Sequence, residues 1–198
     1  MLSLLAWACW PWPSAYSFEV PREAKEWKRL YVGTVRQVWG LSTPAWLAAQ
    51  IGQESGWRDG LTSSAGARGL CQFIPATAAG IEGQFDGLAS LGRYSPKWCF
   101  YAQALHMRDL YADYARGRDR CEAIKFSGAA YNGGPTALAR EIGLCGQDRS
   151  CDPTRWADVA QKTSRAGWAI RENRGYVTRI TEREGAYAST GWGMEYCR

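Results

Sequence analysis

Thr43-Pro44-Ala45-Trp46-Leu47-Ala48-Ala49-Gln50-Ile51-Gly52-Gln53-Glu54 is an apolar stretch with a single carboxylate at its end. It runs straight into a glycine- and serine-rich segment, Ser55-Gly56-Trp57 through Gly66-Ala67-Arg68-Gly69-Leu70. Thr43 followed by Pro44 suits an N-cap and a first helical turn, so the spacing predicts a helix running towards Glu54. Gly56, Gly60, Gly66 and Gly69 predict an irregular or short-hairpin segment after it. A carboxyl group among Leu47, Ile51, Trp57 and Leu70 is poorly solvated and can hold its proton near neutral pH, the setting a general acid needs. Helices also end in solvated glutamates, so local chemistry leaves both readings of Glu54 open.

Working outward, Pro21 to Trp39 has helical periodicity, with Trp27, Leu30, Tyr31, Thr34 and Val38 on one side. Pro75 starts a further helix reaching to Gly80 or beyond, and Pro96 precedes a long one from Lys97 to about Ala115. Cys121 to Tyr131 predicts a short helix ended by Asn132-Gly133-Gly134-Pro135, and Asp152-Pro153 opens a turn or helix. Glu172 to Glu184 is the last strong helical stretch, with Tyr176, Val177 and Ile180 aligned. No repeat or linker divides the chain. The expectation is an apolar arm or signal-like segment at 1–20, one helix-rich domain at 21–186 and a tail at 187–198.

The 198 residues, 46% of them hydrophobic, suffice for one sizeable core. A net charge of +5 favours an anionic partner without naming one. There is no basic block, zinc-finger spacing or aromatic RNA-binding pattern, so no specific nucleic-acid binding is expected; bacterial cell wall is the other anionic candidate. The 11 Trp and 10 Tyr can wall a sugar-binding cleft, although core packing is the ordinary use of residues such as Trp39, Trp46 and Trp98.

Met1 to Trp10 is apolar, and no Lys or Arg precedes Arg22. A signal peptide cut near Ala15-Tyr16-Ser17 lacks its usual positive start, and Pro11 and Pro13 break the run before it can span a membrane. A retained arm that docks on a partner subunit or membrane is the preferred alternative. Seven cysteines, at positions 9, 71, 99, 121, 145, 151 and 197, suit an oxidising compartment. Cys145 and Cys151 enclose a short polar loop and form the best local disulfide candidate. His106 is the one histidine and no Cys-x-x-Cys pair exists, so structural thiols or disulfides are favoured over a metal site.

Cleaving a glycosidic bond needs a proton for the departing oxygen and stabilisation of charge at the anomeric carbon. Glu54 is the donor candidate. Asp59 and Asp86 form no clear pair with it, and the position nine after Glu54 is Ser63, which carries no charge. That pattern favours help from the substrate: a 2-acetamido group can attack the anomeric carbon internally, with Ser63 orienting it. A Cys71 thiolate nucleophile is disfavoured, because His106 has no evident partner and is distant in sequence.

Glu54-Ser55, followed by Ser63-Ser64-Ala65-Gly66-Ala67-Arg68-Gly69-Leu70-Cys71-Gln72-Phe73-Ile74-Pro75-Ala76-Thr77-Ala78, resembles the signature of soluble-type lytic transglycosylases. Ala130-Tyr131-Asn132-Gly133-Gly134-Pro135 resembles the family's middle motif, and Glu172-Asn173-Arg174-Gly175-Tyr176-Val177 its third. The three motifs stand in order over about residues 40 to 182. The resemblance implies a lysozyme-like α+β fold, mainly α, with a helical catalytic core and a short irregular or hairpin segment after Glu54. It implies cleavage of the β-1,4 bond between N-acetylmuramic acid and N-acetylglucosamine, giving 1,6-anhydromuramyl ends, with Glu54 as single acid/base and no cofactor. Ser63, Gln72, Tyr131 and Asn132 would contact substrate, Glu172 would support the site from behind, and Tyr176 would pack or hydrogen-bond at its rim. Cys71 stands where the family usually has Met; both fill apolar volume.

The partner expected on this basis is the peptidoglycan glycan strand. A goose-type-like muramidase using water, and a non-catalytic wall-binding subunit, are the alternatives. The leading arm fits a phage virion protein working with tail or ejection proteins in the bacterial periplasm. It fits equally an enzyme exported to the cell envelope beside an envelope-spanning secretion complex.

Overall fold

The computed structural model describes residues 18–116 and 118–197. Among these residues eight α-helices form: α1 (Ala24–Trp39), α2 (Trp46–Ser55), α3 (Pro75–Gln84), α4 (Pro96–Tyr114), α5 (Arg120–Gly133), α6 (Pro135–Gly146), α7 (Trp156–Val159) and α8 (Gly167–Ser189). Two 3₁₀ turns, Gly40–Ser42 and Ala89–Leu91, complete the described residues' helical elements. Pro75, Pro96 and Pro135 each open a helix, where a missing N–H costs nothing. Ser95 caps α4 by accepting the Trp98 N–H at 3.2 Å, and Asp119 caps α5 by accepting that of Glu122 at 2.8 Å.

The fold is all-α, which corrects the α+β expectation: no strand forms among the described residues. After Glu54 there are only the isolated pairings Thr62 with Arg68 and Arg68 with Phe73. Gly60, Gly66 and Gly69 have φ of 78°, 78° and 68°, and Gln72 has 48°. A backbone that turns through the left-handed region so often cannot stay extended long enough to build a ladder.

Helix α2 runs through the middle. Seven of its ten residues, Trp46, Leu47, Ala48, Ala49, Gln50, Ile51 and Ser55, are buried, so it is enclosed on nearly every face rather than amphipathic. It packs chiefly on α8, while α1 lies on α4, α4 on α5, and α5 on both α6 and α8. The start of α2 differs from expectation. Thr43 sends its hydroxyl to the Gly40 carbonyl at 2.8 Å instead of capping, because the Thr43 carbonyl and the Ala45 N–H are both taken by Met194, each at 2.8 Å.

Around that pairing the chain packs on α1 and on Trp57 just past α2. Tyr187, Trp192 and Cys197 are buried, and Trp192 joins Tyr31, Trp57 and Phe100 in an aromatic cluster, with Trp57–Trp192 centroids 4.7 Å apart. Tyr187 and Trp192 enter the core because their rings pack against Trp57 and Tyr31. Among the described residues three disulfides link Cys71 to Cys99, Cys121 to Cys197 and Cys145 to Cys151, with Cα separations of 5.7, 4.7 and 5.3 Å. Of the arm expected at 1–20, residues 1–17, Cys9 included, lie outside the described residues. Among those that are described, no helix is long and apolar enough to cross a membrane.

Candidate active site

Glu54 sits in the last turn of α2, which Gly56 ends with a left-handed φ of 62°. A carboxylate there faces the negative end of the helix dipole, so its location opposes ionisation from the start. The residue keeps a partial opening to solvent, yet its carboxyl is enclosed enough that burial pushes it up to about 7. Tyr176 on α8 opposes the rise by donating its hydroxyl hydrogen to Oε1 at 2.6 Å. Glu172, a turn earlier on α8, adds to the rise through its like charge. A carboxyl balanced near neutrality can give up a proton and take one back, which is what one group serving as both acid and base must do.

Tyr131 on α5 closes another side. Its hydroxyl donates to the Cys71 carbonyl at 3.0 Å, and burial together with the Glu54 charge raises it well above the usual phenol range. Its ring lies 5.2 Å from that of Phe73 and 5.6 Å from His106. Burial lowers the His106 pKa, and the side chain serves as a packing group beside Tyr131. The Cys71–Cys99 disulfide ties the same loop to α4, so Cys71 is neither free nor a nucleophile.

The remaining residues named from sequence have more local duties. Ser63 is exposed and closes a turn, its hydroxyl accepting the Ala67 N–H at 3.0 Å. Gln72 directs its amide nitrogen to the Gly69 carbonyl at 2.8 Å, bracing the loop on which Ser63 sits. Asn132 is half-buried, and its Oδ1 accepts from Asn173 at 2.9 Å. Glu172 is exposed rather than tucked behind the site, and it acts on Glu54 through charge.

Sequence reading missed the network behind Asn132. Glu141 is fully buried, and its carboxylate is met by Arg165 at 3.0 Å and by Arg174 at 2.7 Å. The two guanidiniums hold its pKa low against the burial that opposes them. Both also donate to Asn173 Oδ1, at 3.2 and 2.9 Å, and Arg165 reaches the Gly133 carbonyl at 3.2 Å. Asn173 in turn donates to Asn132 and to the Ala129 carbonyl. The carboxylate therefore fixes the end of α5 that bears Tyr131 and Asn132. The signal available was Arg174, inside the third motif, but its partner Glu141 lies in α6, a helix that sequence periodicity did not reveal.

Among the described residues no group of three or more His, Cys, Asp or Glu side chains could hold a metal ion. Grooves elsewhere, such as those flanking Lys97 and Tyr101, do not have Glu54 or Tyr176 in their lining. Chemistry, rather than concavity, singles out the site.

A family model described as the Transglycosylase SLT domain matches residues 40–149. The chain is 34% identical over 116 residues to a membrane-bound lytic murein transglycosylase F of Serratia proteamaculans, a match covering 59% of this chain and 22% of that protein. Its fold is similar to that of an inactive variant of the lytic transglycosylase Slt from Pseudomonas aeruginosa. There the TM-score is 0.61 at 20% identity, over 85% of this chain and 25% of that one. The chain thus corresponds to about a quarter of the length of these relatives. With the matched model spanning more than half of the chain and containing Glu54, Ser63, Gln72, Tyr131 and Asn132, this protein belongs to the transglycosylase SLT domain family.

Proposed function

We propose that the chain is a peptidoglycan lytic transglycosylase that cleaves the β-1,4 bond between N-acetylmuramic acid and N-acetylglucosamine, with Glu54 as its single acid/base. The observation that carries this reading is the Glu54 carboxyl, held near 7 by burial at the end of α2 and bonded to the Tyr176 hydroxyl. Protonated Glu54 gives its proton to the glycosidic oxygen as the bond to the muramyl anomeric carbon breaks. The acetamido oxygen of the same sugar closes onto that carbon and holds its positive charge. The Glu54 carboxylate then takes the proton of the muramyl 6-hydroxyl, whose oxygen displaces the acetamido group. A 1,6-anhydromuramyl end forms, no water is consumed, and Glu54 regains its proton.

Tyr131, Asn132, Ser63 and Gln72 would line the glycan path in this scheme, with Tyr176 orienting Glu54. A goose-type-like hydrolytic reading is favoured by one observation: the exposed Glu172 carboxylate is near enough to be felt at Glu54, where it could activate water. Peptidoglycan, and hence the periplasm or cell envelope, supplies the substrate in either case. Digestion of purified sacculi followed by mass analysis separates the two. Anhydromuramyl ends, lighter than reducing ends by one water, are expected; reducing muramyl ends alone would replace this proposal with hydrolysis. Work beside phage ejection proteins or a secretion complex is part of the same proposal, and is tested by co-purification with assembled particles.

A further inference from the structure

Behind Glu54 a chain of buried polar side chains crosses four helices. The Tyr31 hydroxyl on α1 donates to Oε1 of Gln103 on α4 at 3.4 Å. Gln103 Nε2 donates both to the Leu47 carbonyl, at 2.8 Å, and to Gln50 Oε1, at 2.7 Å. Gln50 Nε2, on α2, donates to the Tyr176 hydroxyl at 2.9 Å and lies 3.8 Å from the sulfur of Met107. Tyr176 then donates to Glu54. Tyr31, Gln50 and Gln103 are fully buried and Tyr176 is nearly so. Burying two primary amides is costly unless their polar atoms are paired, so this arrangement is built rather than incidental.

The chain has a direction, and one atom sets it. A backbone carbonyl can only accept, so the Gln103 group facing Leu47 must be its NH₂. The same NH₂ faces Gln50, which must therefore present its carbonyl there and its own NH₂ to Tyr176. With a donor already filling a lone pair of the Tyr176 oxygen, the phenolic hydrogen points to Glu54. We infer that Gln50 and Gln103 are positioning residues that transmit this polarity from Leu47 and Tyr31 to Tyr176, locking its O–H onto Oε1 and leaving Oε2 as the oxygen that carries the acid proton.

The inference rests on Glu54 being the acid/base and adds how its proton is placed. Tyr176 donates to Glu54 in both protonation states, so the hydrogen bond need not reorganise between proton donation and proton recovery. It strengthens on the carboxylate, and each donor further back polarises the next. The groups facing Glu54 are Tyr176 and Glu172 from α8 and Tyr131 from α5, while α4 contributes the neutral Gln103 and Met107 through Gln50. On α8, Arg179 and Arg183 are engaged by Gln53, at 3.1 and 3.0 Å, next to Glu54 in sequence.

The test is a ¹³C NMR titration of the Glu54 carboxyl in protein labelled at glutamate, assigned with Glu54→Gln and run beside the pH profile of kcat. Tyr176→Phe should raise the midpoint by about one unit, the effect of losing a charge-assisted hydrogen bond. Gln50→Met should raise it less and Gln103→Met less again, with KM unchanged and the basic limb of kcat moving to higher pH. The double variant Gln50→Met/Gln103→Met replaces both amides by apolar groups of similar shape and leaves neither amide stranded; because the Tyr31 hydroxyl loses its acceptor, its unfolding midpoint is measured beside the titration. A midpoint that stays put in the double variant, with kcat reduced equally at every pH, would reduce both glutamines to packing and overturn the inference. The titration reads the relay even in a protein that cleaves nothing, whereas inactive Glu54→Gln with active parent protein tests the catalytic assignment alone.

Discussion

The Trp46 indole of α2 occupies the space where a side chain on Gly128 of α5 would begin. The two helices meet there with no room for a Cβ, and Trp46 is fully buried with its ring nitrogen donating to Thr181 on α8 at 3.2 Å. Gly128→Ala should force this indole aside and destabilise the fold by about 1–3 kcal/mol. Chemical denaturation would measure the loss, and a changed near-UV signal would report the displaced ring.

Glu54→Gln nearly preserves shape and removes the exchangeable acid proton. Cleavage of sacculi should fall by roughly a thousandfold or more while far-UV spectra stay the same. Equal degradation of cell wall by parent and variant would end the acid/base assignment.

Stability should depend on pH in a direction set by two raised carboxyls. Burial pushes both Glu54 and Glu184 up to about 7, above their unfolded value of 4.5. The folded state then binds more protons than the unfolded state in the interval between, so the slope of stability against pH is negative there. Their contribution is fully present below 4.5 and is lost as pH rises through about 7. Urea midpoints measured at acidic and alkaline pH should show this fall, and Glu54→Gln should flatten part of it; stability independent of pH across the interval would contradict the shifts.

Removing the Cys121–Cys197 bridge should cost more than removing either of the others. It closes a span of 76 residues, against 28 for Cys71–Cys99 and 6 for Cys145–Cys151. Chain entropy assigns about 4.5 kcal/mol to the longest loop and about 2 kcal/mol to the shortest. Paired Cys→Ser variants, compared by denaturation, test the order.

Arg165→Ala strands part of the buried Glu141 charge and removes the bond to the Gly133 carbonyl. A loss of about 3 kcal/mol is expected. Weaker wall cleavage should accompany it, because Asn173 and Asn132 lose their anchor; an unchanged unfolding midpoint would count against the network.

The helices around Glu54 were legible because apolar periodicity and proline starts are local signals. Pro75 and Pro96 mark the starts of their helices, and the helix running to Glu54 is legible from Thr43-Pro44 at the head of a mostly apolar stretch. Helix α6 was not legible: Asn132-Gly133-Gly134-Pro135 looks like a stop, yet Pro135 also serves as the first residue of the next helix. Of the two readings of the segment after Glu54, irregular or short hairpin, the structure has the irregular one, because several glycines support a series of turns as readily as one turn between strands. Within the site, Glu54 and Tyr176 could be picked from motifs, but the mates of Gln50 and Glu141 lie far away in sequence. Gln103 is 53 residues from Gln50, and no local pattern connects them.

The two ends of the described chain meet on one helix. The Phe18 ring lies 6.0 Å from that of Tyr187, while the backbone N–H groups of Tyr196 and Cys197 donate to Glu184, one turn earlier. Both segments are thus seated on α8, so a break in either should be felt along the helix that carries Tyr176, while Glu54 stays at the other end of α2 from the Thr43–Met194 pairing.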